Sequence, residues 1–237
     1  MRRIAILNFK GGTGKTTTAV NLSYALSLKN YKVLIVDCDP QGTVSSWLGL
    51  NPENTLYDLL TGEARLEDCI YPARSKLDII ASNKYLARIE FKLTKGEAVE
   101  KVFSKKFRTL KEYDFIFLDC PPSFSILNLN ALEYAEEIFL PVSMDYLSLR
   151  GVKQVIELLP ENIKLTKIIP TFYDKRTRKS KEILEDLKNF FKDKVTKPIR
   201  INTRISECNS FHKTIFEYDP KSRGAIDYKN LAEEIIK

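Results

Sequence analysis

Short runs of hydrophobic residues alternate along the chain with segments in which hydrophobic residues recur every three or four positions. The runs are nearly continuous and rich in β-branched residues, as is typical of strands buried on both faces of a sheet. They predict strands at residues 3–7, 32–36, 77–81, 114–118, 137–142 and 167–170. The wider spacing predicts helices over 15–28, beginning around Ala98, Val102 and Phe103, around 183–191, and over 225–237.

This alternation predicts an α/β fold in which a mostly parallel, twisted sheet is flanked by helices on both faces. In such folds ligands bind beyond the carboxyl ends of the strands, so the loops that follow strands are where chemistry is expected. A chain of 237 residues without a low-complexity linker is expected to form a single domain over residues 1–237.

Composition excludes several classes of protein. Hydrophobic residues make up 43% of the chain, yet no run of about 18 of them occurs, which excludes a membrane-spanning helix. The first hydrophobic run, at 4–7, is too short for a signal peptide, so we expect a cytoplasmic protein. The four cysteines are widely spaced and there is one histidine, so we expect reduced thiols and no zinc site built on Cys or His clusters.

The strongest chemical signal follows the first predicted strand, where residues 8–18 are N-F-K-G-G-T-G-K-T-T-T and lead into a helix. Glycines let backbone N–H groups turn towards phosphate oxygens, and the helix N-terminus adds the positive end of its dipole. In such a loop Lys15 reaches the β- and γ-phosphates and the Thr16 hydroxyl coordinates Mg²⁺. Thr17 is a further donor, to the α-phosphate.

The loop departs from the common G-x-x-x-x-G-K-[ST] pattern, because Phe9 occupies the first glycine position and a second lysine, Lys10, lies inside the loop. With that lysine, residues 9–16 resemble the deviant Walker A motif of the ParA/MinD family of P-loop ATPases. The resemblance implies that Lys10 crosses a dimer interface to touch the partner's nucleotide, where a cation neutralises charge on the transferred phosphoryl group. The implied nucleotide-binding residues in this loop are Lys10, Gly11, Gly12, Thr13, Gly14, Lys15, Thr16 and Thr17.

Two further strand ends support this family. Residues 37–42 read D-C-D-P-Q-G and resemble its second signature, in which Asp39 orients the attacking water and a magnesium-bound water. The accompanying Asp37 organises either the magnesium shell or the loop. Asp119 ends a hydrophobic strand, the Walker B arrangement, and is implied to hold Mg²⁺ through water. The implied catalytic residues are Lys10, Lys15 and Asp39, and the implied metal residues are Thr16, Asp39 and Asp119.

The C-terminal part of the chain narrows the resemblance. Residues 204–207 and 218–234 resemble the C-terminal block of short, Soj-type chromosomal and plasmid ParA proteins, so the similarity runs from residue 4 to residue 236. Trp47, Ser125 and His212 depart from the family pattern, since small residues or glycine are usual there. Because the chain starts at its first strand, we expect no N-terminal helix-turn-helix domain. Thr171 and Phe172, which follow the strand at 167–170, are candidate adenine contacts.

Positive charge is concentrated in the last third of the chain. Residues 151–237 contain 19 basic and 13 acidic side chains, whereas residues 1–150 contain 19 and 18, which indicates a basic face for an anionic polymer. Contacts of this kind go mostly to phosphates and are independent of sequence. The candidate DNA-binding residues are Arg176, Arg178, Lys197, Arg200, Arg204 and Arg223.

The resemblance implies a ParA-type ATPase that hydrolyses ATP with Mg²⁺, slowly unless a partner stimulates it. It implies a homodimer that sandwiches ATP, binds double-stranded DNA non-specifically, associates with the nucleoid in the ATP state and segregates DNA with a ParB-type partner. Two alternatives remain open: a ParA-like ATPase that positions a protein cargo, and a MinD-like ATPase that cycles on membranes. The tail at 228–237 balances two acidic residues against two lysines, so we expect a helix that closes the core and no membrane partner.

Overall fold

The computed structural model describes residues 1–89, 101–160 and 163–237. In these residues seven strands form one sheet in the order β3-β4-β2-β5-β1-β6-β7. The strands are β1 (Arg2–Ile6), β2 (Val33–Asp37), β3 (Ile70–Arg74), β4 (Leu77–Ile80), β5 (Phe115–Asp119), β6 (Glu137–Ser143) and β7 (Lys164–Thr171). All neighbouring pairs are parallel except β3 and β4. The predicted α/β class and mostly parallel sheet are therefore confirmed.

The antiparallel edge strand β3 is absent from our sequence prediction. It contains Pro72 and ends at Arg74, a composition that suits an edge strand better than a central one. Lys76 adopts a positive φ of 57° in the turn that joins β3 to β4. The strand is recognisable only once β4 is in place to pair with it.

The helices lie between the strands and after the last one. They are α1 (Lys15–Ser27), α2 (Thr43–Leu48), α3 (Leu56–Thr61), α4 (Val102–Lys106), α5 (Ile126–Tyr134), α6 (Tyr146–Leu158), α7 (Arg178–Phe191), α8 (Thr203–Ser210), α9 (Ile215–Tyr218) and α10 (Arg223–Ile236). The predicted helices at 15–28, 183–191 and 225–237 correspond to α1, α7 and α10. Val102 and Phe103 lie in α4, whereas Ala98 lies outside the described residues.

The core occupies both faces of the sheet, because successive residues of each buried strand point to opposite sides. In β1, Ile4 and Ile6 belong to one hydrophobic cluster and Ala5 to the other. Helices α1, α2 and α8–α10 contribute to the Ile4 side, and α3–α7 to the Ala5 side. This arrangement confirms the helices predicted on both faces, and it holds the strand ends in place for the loops beyond them.

Helix α10 closes the core, as the tail composition predicted. Tyr228, Leu231 and Ala232 are buried, and α10 packs against α1, where the Tyr228 hydroxyl lies 3.4 Å from Thr18 Oγ1. All four cysteines are buried free thiols. Within residues 1–89, 101–160 and 163–237 no helix has the length and hydrophobicity needed to cross a membrane.

Candidate functional site

The loop between β1 and α1 lies at the carboxyl edge of the sheet and turns on two glycines. Gly12 and Gly14 have φ angles of 71° and 89°, which favour glycine over any residue with a Cβ. Helix α1 begins directly afterwards at Lys15, and Gly14 has no side chain with which to cap it. The first N–H groups of a helix have no partner within the helix, so this turn is suited to bind an anion.

Lys15 lies inside this loop. It is 8% exposed, and its Nζ donates a hydrogen bond to the Lys10 carbonyl oxygen over 3.2 Å. Burial lowers the pKa of Lys15, and the negative charges of Asp119 and Asp39 act in the opposite direction. A desolvated ammonium among carboxylates is an environment in which a phosphate is a favourable additional partner.

Thr16 and Asp119 meet beneath the loop. The Thr16 hydroxyl donates to Asp119 Oδ2 over 2.6 Å, whereas Asp119 Oδ1 is buried with no protein hydrogen-bond partner among the described residues. Burial raises the pKa of Asp119 to about 7, although the Thr16 hydrogen bond and Lys15 lower it. A hydroxyl and a carboxylate are the oxygen donors that Mg²⁺ prefers, and a buried carboxylate oxygen without a partner fits such an ion.

Asp37 organises the neighbouring loop. It is completely buried, Oδ1 accepts from the Asp39 N–H over 3.0 Å, and Oδ2 accepts from the Val44 N–H over 3.0 Å at the start of α2. Burial raises the pKa of Asp37, and the charge of Asp119 raises it further. Of the two roles that the sequence left open for Asp37, the hydrogen bonds therefore favour organisation of the loop.

Asp39 lies in the same loop but is partly exposed. One carboxylate oxygen accepts from the Gln41 N–H over 2.9 Å, and its backbone carbonyl accepts from the Gly42 N–H over 3.0 Å. Gly42 has a φ of 61°, and a Cβ on it would lie 2.7 Å from the Ser82 carbonyl oxygen. The loop that carries Asp39 is therefore held against the segment after β4.

Lys10 leaves the loop in another direction. Its Nζ donates to Asp145 Oδ1 over 2.7 Å and to Ser148 Oγ over 3.1 Å, at the start of α6. Within the single subunit the second lysine is therefore paired with a carboxylate 135 positions away. Neither the spacing nor the composition around Asp145 indicated this pair.

Thr171 and Phe172, the candidate adenine contacts, lie beside the loop. Thr171 Oγ1 donates to the Thr13 carbonyl oxygen over 2.8 Å, and the exposed Phe172 has a φ of 54°. Both line a cavity of about 490 Å³ that opens next to Gly14 and Thr17. The cavity is also lined by residues that our sequence analysis did not place here, among them Trp47, Ile199, Asn202, Ser206, Asn209 and Tyr228. The C-terminal block at 204–207 and 218–234 is the sequence feature that could have indicated this cavity wall, because it contains several of the residues that line the cavity.

The six candidate DNA-binding residues fall into three kinds of environment. Arg176, Arg178 and Arg204 are exposed and pair with nearby carboxylates, those of Asp174, of Glu182, and of both Glu207 and Asp219 respectively. Lys197 and Arg223 are exposed.

Arg200 differs from the other five. It lines the cavity and forms a bidentate pair with Asp227, whose side chain is 7% exposed, at distances down to 2.6 Å. Arg200 is therefore both a lining residue of the cavity and the ion-pair partner of Asp227.

Two departures from the family pattern lie together. The Trp47 indole donates to the Lys213 carbonyl oxygen over 2.9 Å, and His212 Nδ1 lies 2.9 Å from the Ser46 carbonyl oxygen. His212 also has a φ of 55°. These bulky side chains therefore join α2 to the segment after α8. The third departure, Ser125, is the N-cap of α5.

The chain resembles known proteins along its whole length. A family model described as an AAA domain matches residues 1–172. The chromosome-partitioning ATPase Soj of Treponema pallidum is 38% identical over 99% of this chain and 97% of that protein. The chromosome partitioning protein ParA of Myxococcus xanthus is 35% identical over 100% of this chain and 88% of that protein.

A solved structure shares the fold along the whole chain. The septum site-determining protein MinD of Pyrococcus horikoshii, complexed with Mg-ADP, superimposes with a TM-score of 0.84 and 28% identity, covering 100% of this chain and 96% of that one. The phosphate loop, the strand-end aspartates and the full-length identity to Soj and ParA all agree. On this evidence the chain belongs to the Soj/ParA family of chromosome-partitioning ATPases.

Proposed function

We propose that this protein hydrolyses ATP with Mg²⁺ and that the ATP state is a DNA-binding dimer that segregates DNA together with a ParB-type partner. The observation that carries the proposal is the hydrogen bond from Thr16 to Asp119 beneath a glycine-rich loop, with Asp119 Oδ1 left without a hydrogen-bond partner in the part of the chain that the structure describes. Relatives named as partitioning ATPases and a neighbour solved with Mg-ADP support the choice of ligand.

The phosphate chain is proposed to lie along residues 10–17. Lys15 binds the β- and γ-phosphates, while the N–H groups between Gly11 and Thr17 surround their oxygens. Thr16, Asp119 and, through a water, Asp39 would hold Mg²⁺, and the ion would supply positive charge that offsets the negative charge of the phosphates. The adenosine lies in the cavity beside Gly14, against Thr171 and Phe172.

Hydrolysis needs an oriented water and a stabilised leaving group. Asp39 is proposed to orient the attacking water, since its carboxylate is partly exposed and belongs to a loop that Asp37 and Gly42 hold in place. Lys10 is proposed to act on the nucleotide of the other subunit, where a second cation in a dry interface neutralises developing charge. The dimer is then stable only while the γ-phosphate is present, and hydrolysis separates the two subunits.

DNA binding is proposed for the basic C-terminal third. Arg176, Arg178, Lys197, Arg204 and Arg223 are exposed there, and the neighbouring carboxylates of the three paired arginines are replaceable by DNA phosphates. Arg200 is better assigned to the cavity, because Asp227 holds it there. Contacts of this kind release counterions, so binding weakens steeply with salt.

The test is binding to random-sequence duplex DNA without nucleotide, with ADP and with a non-hydrolysable ATP analogue, each across a salt series. The proposal predicts binding that requires the ATP analogue and falls steeply as salt increases. Absence of DNA binding in every state would contradict it and direct attention to a scaffold or membrane ATPase. Co-sedimentation with liposomes and ATP tests the membrane alternative, against which the buried face of α10 argues.

A further inference from the structure

Lys10 Nζ donates to Asp145 and Ser148 of its own subunit. Its ammonium lies 2.7 Å from Asp145 Oδ1 and 3.1 Å from Ser148 Oγ, and the two charged side chains are 34% and 29% exposed. Asn8 reinforces the approach from the other side, because it accepts from the Lys10 N–H over 2.9 Å and donates to the Pro141 carbonyl oxygen over 2.8 Å. The start of the phosphate loop is thus joined to the end of β6.

Asp145 is itself held rigidly. Its Oδ2 accepts from the hydroxyls of Ser143 and Ser148 over 2.7 and 2.9 Å, and its Oδ1 accepts from the Ser148 N–H as the N-cap of α6. Burial raises the pKa of Asp145, but the hydrogen bonds from Lys10, Ser143 and Ser148 outweigh it and hold the pKa well below its usual range. The carboxylate therefore offers Lys10 a preorganised, ionised acceptor.

We infer that Asp145 is a positioning residue that holds Lys10 within its own subunit, so that Lys10 must leave Asp145 before it can reach a nucleotide bound to a second copy. The inference rests on the proposed function, in which Lys10 acts across the dimer. The inference adds a condition to that function. The ion pair between Lys10 and Asp145 opposes dimer formation until the phosphates of ATP attract the lysine more strongly than Asp145 does.

The size of this effect follows from the partial exposure of the pair. A partly exposed ion pair contributes about a threefold preference for the paired state. Two subunits release their lysines when one dimer forms, so the effects multiply to about tenfold in the dimer dissociation constant.

Asp145→Asn tests the inference, because asparagine is also a good N-cap and preserves the start of α6 while removing the charge. Dimerisation of the full chain is measured by sedimentation velocity with Mg²⁺ and a non-hydrolysable ATP analogue over a range of protein concentrations. Glu157→Gln is the matched control, since it neutralises a carboxylate on the same helix that pairs with Lys153 instead. Asp145→Glu retains the charge, and thermal unfolding confirms that each variant is folded.

The expected result is a dimer dissociation constant about tenfold lower for Asp145→Asn than for wild type. The dissociation constant of Glu157→Gln should match that of wild type, and that of Asp145→Glu should lie nearer to wild type than that of Asp145→Asn. Adding Lys10→Ala to Asp145→Asn should remove the gain in dimer affinity. A simple loss of stability would weaken dimerisation, so the direction separates the two effects. If wild type dimerises and Asp145→Asn dimerises equally or more weakly, the inference is wrong but the proposed dimer stands. If neither protein dimerises, both the inference and the proposed dimer are wrong.

Discussion

The Thr16 hydroxyl donates a 2.6 Å hydrogen bond to Asp119 Oδ2, and this leaves Asp119 Oδ1 buried without a protein partner among the residues that the structure describes. Asp119→Asn should therefore abolish Mg²⁺-dependent ATP hydrolysis while stabilising the ligand-free protein. Steady-state phosphate release and urea unfolding in EDTA measure the two effects. Hydrolysis at the wild-type rate would remove Asp119 from the metal site.

The same carboxyl group should make stability depend on pH. Its folded pKa of about 7 lies above the ordinary value of 3.8, so its contribution to stability is complete below pH 4 and is lost as pH rises through 7. Ligand-free wild type should accordingly lose free energy of unfolding between pH 5 and pH 8, and Asp119→Asn should lose less, by at least about 1 kcal/mol. Part of the dependence should persist, because the pKa of Asp37 is also raised.

The two loop lysines should separate binding from dimerisation. Lys15→Ala should abolish nucleotide binding, because Lys15 is the buried cation of the loop. Lys10→Ala should bind labelled ATP nearly as wild type does but stay monomeric. The reason is that the Lys10 ammonium of the single subunit is paired with Asp145 and does not point into its own nucleotide loop. Fluorescence titration and light scattering measure the two properties. An unaltered ATP-dependent dimer of Lys10→Ala would contradict its role across the interface.

Asp39→Ala should slow hydrolysis without preventing ATP binding. Loss of a group that orients the attacking water is expected to reduce the single-turnover rate about 100-fold or more. The hydrolysis-deficient dimer should therefore remain on DNA longer. Stability should change little, since Asp39 is partly exposed and its carboxylate accepts a local hydrogen bond from the Gln41 N–H. Wild-type turnover in this variant would exclude Asp39 from catalysis.

Arg223 and Arg200 should respond differently to alanine. Arg223→Ala should weaken DNA binding at all sequences and reduce the slope of log affinity against log salt by about 1. Arg200→Ala should instead lower the free energy of unfolding by about 2 kcal/mol or more, because the buried carboxylate of Asp227 loses the guanidinium and keeps, of the contacts that this pair makes in the described residues, only the hydrogen bond from the backbone N–H of residue 200. Equal DNA-binding defects without loss of stability would return Arg200 to the DNA-binding set.

Gly42→Ala should destabilise the loop that carries Asp39. Its φ is 61° and its Cβ would meet the Ser82 carbonyl at 2.7 Å, so the cost should exceed the roughly 1 kcal/mol of the left-handed backbone alone. Gly62→Ala is the matched control, because Gly62 has a φ of 82° but its Cβ would lie 4.0 Å from the flexible Lys106 Nζ, which is ordinary van der Waals contact. Chemical unfolding should rank Gly42→Ala as clearly the less stable variant.

Elements whose physical cause is local are predictable from the order of residues alone. The phosphate loop is contiguous, so its glycines, Lys15, Thr16 and the following helix could be assigned from order and spacing. Buried parallel strands are continuous hydrophobic runs, which is why the predicted bounds of β1, β2, β5 and β6 agree with the structure to within one residue. The sequence does not predict the edge strand β3, since its residues can be recognised as a strand only when β4 pairs with them.

Tertiary structure alone decided the pairings between distant positions. Lys10 and Asp145, 135 positions apart, meet because β1 and β6 are neighbours in the sheet. In the sequence Arg200 is one basic residue among many, and the fold places Asp227 beside it. The role of Asp37 in organising its loop follows from the hydrogen bond that its carboxylate accepts from the Val44 N–H in α2. Charge and hydrogen-bonding capacity are properties of single residues, but their partners depend on which strand ends and helices the sheet brings together.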